Sequence, residues 1–212
     1  IAALCSFLIS LLSGESGICV IAYVFSYLLL VDKQQIKQKI KVFIPFIAII
    51  FGWRLIYVLL GYGVKGSSLY HDPLVEPVLF IGQVILRLPE MIGEFLLLPP
   101  FDVSLTFSPQ SVVTLSVILF IIVSVFLITC FPVYRRNSLA QFFLLSMVLA
   151  FIPLCAGHPE SRRNSIAIVG GIGFLAMLLY QLKSSDILKQ GKKNKACYYF
   201  IIVIFIFMHG FI

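Results

Sequence analysis

The chain has 212 residues, of which 60% are hydrophobic and only 12% charged. A soluble globular domain carries about twice that share of charge, so the composition excludes an ordinary soluble core and points to an integral membrane protein. The net charge of +7 would suit a nucleic-acid binder in a soluble protein, but here the basic residues cluster between apolar runs. The positive-inside rule accounts for them, and no nucleic-acid partner is expected.

The first apolar run, Ile1 to Leu12, is too short for a bilayer that needs about 20 residues, so the chain reads as a piece of a longer protein. It is no signal peptide, because a basic n-region is missing and Glu15 follows where small cleavage-site residues belong. Residues 16–31 form the second apolar helix after a polar turn, Ser13 to Gly17. The loop 32–41 carries Lys33, Lys37, Lys39 and Lys41 against Asp32, which places it in the cytoplasm. The third helix, about 42–61, brings Arg54 roughly 18 Å from its inner end, within snorkelling reach of the outer surface. A guanidinium at that depth needs an anion, either a carboxylate such as Glu15 or a lipid phosphate.

Residues 64–110 are the one long interruption in the run of apolar helices. Inside it a helix of about 77–98 is expected, with Gln83, Arg87, Glu90 and Glu94 on one narrow stripe, since spacings of four, three and four fall within roughly 60° of arc. Such a helix either lies on the lipid surface or forms a wall of an outer cleft. Pro89 should kink it and Pro99-Pro100 should stop it. Tyr70-His71-Asp72-Pro73 reads as a solvated turn ahead of it.

Apolar helices follow at about 111–131, 139–156, 165–182 and 196–212, the first of them ending at Pro132. Counting helix 77–98 as non-spanning places 11 of the 16 basic residues inside and seven of the nine acids outside, with loops 132–138 and 183–195 also cytoplasmic. The expected fold is therefore all-α: one polytopic helical membrane domain over residues 1–212, with an amphipathic juxtamembrane helix on the outer face.

The five cysteines, Cys5, Cys19, Cys130, Cys155 and Cys197, lie in or beside apolar runs without paired spacing and read as small apolar fillers. His71, His158 and His209 are scattered, so no metal site is expected, and no nucleotide or dinucleotide fingerprint suggests a cofactor. The outer loop 157–164 places Arg162 and Arg163 at the start of a helix, where free backbone N–H groups also favour an anion such as phosphate.

The stretch Ile9-Ser10-Leu11-Leu12-Ser13-Gly14-Glu15-Ser16-Gly17, an apolar helix ending in a Glu-bearing turn that starts the next, resembles a segment of bacterial GT-C glycosyltransferases related to the protein mannosyltransferases. The later order of elements is similar to their C-terminal membrane half. Gly14 stands where that motif usually has lysine. The resemblance implies transfer of a sugar from a polyprenyl-phosphate carrier on the outer face of the bacterial inner membrane, with membrane lipids around it. Glu15, Arg54, Arg162 and Arg163 would then hold the carrier phosphate, and Gln83, Arg87, Glu90 and Glu94 would wall the cleft. The family's catalytic acid belongs to a part absent from this chain. A lipid transporter or flippase and a non-catalytic membrane scaffold are the rival readings from the residues alone.

Overall fold

The computed structural model describes residues 1–62, 70–97, 108–157 and 164–184, and all regular structure among them is helical. The helices are α1 (Ala2–Ser13), α2 (Val20–Leu30), α3 (Ile36–Leu59), α4 (Pro77–Leu97), α5 (Pro109–Tyr134), α6 (Ser138–Leu154) and α7 (Ser165–Ser184), with a 3-10 turn at Glu15–Cys19 between α1 and α2. The expected helix 196–212, most of loop 183–195, and Arg162 and Arg163 lie outside the described residues.

Three boundaries differ from the sequence reading. Lys37, Lys39 and Lys41 belong to the first turns of α3, because only Val31 to Gln35 is needed to reverse the chain before Ile36. Helix α5 runs through Pro132 to Tyr134. A proline forfeits one interior hydrogen bond, and it does not stop a helix whose next carbonyls still find donors, as Phe131 O does in Arg135 N–H at 3.0 Å. The second helix begins as the tighter 3-10 turn, in which Gly17 sits so close to α1 that an added Cβ would lie 2.5 Å from the Ser10 carbonyl oxygen.

Helix α6 is the centre of the bundle. Ala140, Met147, Ala150 and Phe151 are fully buried on it, facing Ala167, Phe174 and Leu178 of α7. Glycine allows the two helices to pack closely: a Cβ at Gly170 would meet Met147 N at 2.9 Å and Phe143 O at 3.0 Å, both backbone atoms of α6. Helix α2 packs on the same pair, and its Tyr23 hydroxyl is spliced into the α7 ladder, donating to Ile166 O at 2.5 Å and accepting from Gly170 N–H at 2.7 Å. Helices α4 and α5 complete this core through Met91, Ile92, Phe95 and Val123. Helices α1 and α3 form a smaller cluster around Phe7, Leu11 and Phe46, with the two phenylalanine rings 5.5 Å apart.

Helices α3 and α5 are long and apolar enough to cross a membrane. Only 6% of the apolar window of α3 and 17% of that of α5 is buried, which is unlike the core helix of a soluble protein and suits helices facing lipid. The remaining apolar helices are shorter, α6 having 17 residues.

Because the atoms crowding Gly170 are backbone and cannot swing away, Gly170→Ala forces α7 off α6. We expect thermal unfolding in detergent to show a loss of about 1–3 kcal/mol, with Gly82→Ala, where nothing lies within 4 Å, as the unaffected control.

Candidate functional site

One end of the bundle gathers most of the ionisable groups that are not flanking lysines. It is the end at which α3 and α6 finish, the 3-10 turn sits and α7 begins. The segment Tyr70 to Glu76 ties these elements together. His71 N–H donates to Ala156 O just beyond α6 at 2.8 Å, and its ring Nδ1 lies 2.8 Å from Glu76 Oε2. Asp72 accepts from Leu74 N–H at 2.9 Å through Oδ1, an Asx turn made possible by Pro73. Its other oxygen, Oδ2, is ion-paired with Arg54.

The anion that satisfies Arg54 is therefore Asp72, from the segment read as a solvated turn. Both side chains are about one-fifth exposed, so the pair is partly solvated. Glu15 reaches the same place by another route. The Tyr57 hydroxyl donates to Glu15 Oε1, while the Tyr57 ring lies under the Arg54 guanidinium, 5.3 Å from centroid to Cζ. Arg54 and Tyr57 are three residues apart on α3, the spacing that puts two side chains on one face. Trp53 and Tyr62 flank the Tyr57 ring at 5.2 and 5.7 Å.

Tyr70 completes the cluster. Burial, followed by the neighbouring Glu15 and Asp72 carboxylates, raises its pKa above the ordinary tyrosine value and keeps it a neutral hydroxyl. The assembly thus presents one arginine against Glu15, Asp72 and Glu76, with aromatic rings between them. Such a mix of carboxylates, hydroxyls and ring faces can hydrogen-bond the edges of a polyol and stack against its apolar face.

The stripe on α4 lies beside this cluster and faces the protein. Arg87 donates to Cys155 O at 3.0 Å and also to Gly157 O, filling carbonyls that the end of α6 leaves without helical partners. Glu94 Oε2 accepts from Asn164 Nδ2 at 3.4 Å, at the start of α7. Glu90, between them, is 1% exposed. Gln83 is partly buried on the same side of the helix. The exposed side of α4 is apolar instead, including Val78, Ile81 and Ile85. Pro89 lies within the continuous helix, and Pro99-Pro100 fall outside the described residues.

Of the residues singled out from the sequence, Glu15 and Arg54 are brought into one cluster, and Arg87, Glu90 and Glu94 into a neighbouring one. Tyr57 was overlooked, and Tyr70 and Asp72 were read only as part of a solvated turn. The Tyr57 signal was its position one turn after Arg54. Asp72 carried no local signal for its role, because its partner is 18 residues away. No group of three or more metal-ligating side chains occurs among the described residues.

Arg87 and Arg54 should respond differently to neutral replacement. Arg87→Met leaves two carbonyls at the end of α6 without a donor and is expected to cost about 1–3 kcal/mol in thermal unfolding. Arg54→Met, which frees a partly solvated carboxylate, should cost about 1 kcal/mol or less.

The comparisons add no relative from which a role could be carried over: no protein-family model, no curated protein and no solved structure matches the chain.

Proposed function

We propose that this chain is a polytopic helical membrane protein, the membrane half of a GT-C-like glycosyltransferase, which holds a lipid-phosphate-linked sugar at its outer face. The observation that carries the reading is the meeting of Glu15 and Arg54 in one aromatic-lined cluster through Tyr57. The charge pattern supports its placement outside. The Lys33 to Lys41 end of α3 is remote from this cluster, and Arg135-Arg136 follow α5 in the short turn to α6. Helix α4, with three ionisable residues inward and an apolar face outward, suits a non-spanning helix laid over the outer ends of α6 and α7.

In this reading the resting ion pair is a placeholder. A carrier phosphate entering from the lipid competes with Asp72 for Arg54, and the Arg54 side chain is already oriented by the Tyr57 ring. The sugar would meet Glu15, Tyr70 and the rings of Trp53 and Tyr62, while the arginine stabilises the phosphate as leaving group. In this reading the chain's own described residues hold the donor. The transporter reading lacks the mid-membrane ionisable groups and repeated halves that such proteins use.

Binding of a polyprenyl phosphate to the full chain in nanodiscs tests this directly. Asp72→Asn should tighten it by about 10-fold by removing the competitor, and Arg54→Gln should weaken it by about 10- to 100-fold. Equal binding by wild type and both variants would leave a non-catalytic scaffold as the better description.

A further inference from the structure

Glu90 is the ionisable side chain of α4 that is fully buried. It is 1% exposed, and its Oε1 has no hydrogen-bond partner among the described residues. Two donor groups beside it are turned to backbone carbonyls. Arg87 points its Nη1 at the carbonyls of Cys155 and Gly157. Ser116 of α5 is within hydrogen-bond reach of Glu90, but its hydroxyl donates to Leu86 O.

A serine hydroxyl has one proton to give. With that proton on Leu86 O, Ser116 can meet Glu90 only as an acceptor. The contact then closes only if Glu90 itself carries a proton, forming the chain Glu90 O–H to Ser116 Oγ to Leu86 O. An ionised carboxylate in the same place would be desolvated and short of donors. The fit around it leaves little room to bring water in, since a Cβ added at Gly93, on the next turn, would meet Leu119 of α5 at 2.9 Å.

We propose that Glu90 is a proton-binding site whose protonated form holds α4 against α5 and the ends of α6 and α7, and whose ionisation releases α4 from them. Charged and polar groups face it from four elements. On α4 they are Arg87 and Glu94, the latter bonded to Asn164. From α5 comes Ser116, which does not titrate. From the end of α6 comes Cys155, its Sγ 3.8 Å from Met91 Sδ, kept as the neutral thiol by burial. Asn164 at the start of α7 carries no charge, and from the segment before α4 His71 reaches the Ala156 carbonyl through its backbone.

The sign follows from burial. Burial pushes the Glu90 carboxyl up from 4.5 to about 7, with a Ser116 hydroxyl turned toward the carboxylate, and after it the Arg87 guanidinium, pulling the other way. Once α4 lifts, the carboxyl is solvated and returns to the ordinary range. Between the two values the docked helix holds a proton that the released helix lacks. Docking is therefore strongest at low pH, weakens as pH rises toward about 7, and stays constant above it, where neither state holds the proton.

Hydrogen exchange of the α4 amides, followed by mass spectrometry on the full chain in nanodiscs from acid to mildly alkaline pH, reads this out after correction for the intrinsic pH dependence of exchange. The opening equilibrium of wild-type α4 should rise by up to about tenfold per pH unit below neutrality and then level off. Glu90→Gln should remove the slope. Flat exchange in the wild type overturns the proposal whether or not the variant folds. A slope that survives in Glu90→Gln also overturns it.

Discussion

Arg87 donates to two carbonyl oxygens at the end of α6, and the placing of α4 depends on that contact. The last carbonyls of a helix have no helical partner, and in an apolar setting an unmet carbonyl is expensive. Arg87 supplies the donors from another element, and with the guanidinium fixed there, the rest of α4 has its rotation set. Glu90 and Glu94 must then turn toward α5 and α7, and Val78, Ile81 and Ile85 must turn away. A helix whose ionic stripe faces the protein and whose apolar face is uncovered inverts the usual arrangement for water and suits an apolar surrounding.

The second anchoring contact, His71 N–H on Ala156 O, lands one residue from the first. The carbonyls of Cys155, Ala156 and Gly157 are thereby all taken by the segment Tyr70 to Arg87. This brings the Arg54 cluster and the α4 stripe side by side, although they originate in different parts of the chain. Three successive carbonyls at one helix end thus organise both polar groups.

Much of this was legible in the sequence, and the failures have physical causes. The apolar runs specify helices because no other structure satisfies its own backbone without water, and the four-three-four spacing placed Gln83, Arg87, Glu90 and Glu94 on one face of α4. Periodicity identifies a face without saying what it faces, so the surface and cleft readings could not be separated until Arg87 was seen on α6. The need of Arg54 for an anion was readable from depth alone. Its choice of Asp72 over Glu15 was not, since both acids lie at the same end and only the path of the chain through Tyr70 to Glu76 decides between them. Lys37, Lys39 and Lys41 were read as loop because charge marks the side of a membrane and not the point at which a helix starts.

The Tyr23 hydroxyl sits between Ile166 O and Gly170 N–H, in a place where α7 would otherwise bond to itself. A side chain spliced into another helix's ladder acts as a pin. Helix α7 cannot turn about its axis or slide along α2 without breaking two hydrogen bonds at once, in surroundings that offer no replacement. Helices α2, α6 and α7 are thereby tied together, with Gly170 pressed against the α6 backbone beside the same hydroxyl. Arg54 and Arg87 are carried by helices outside that group, α3 and α4.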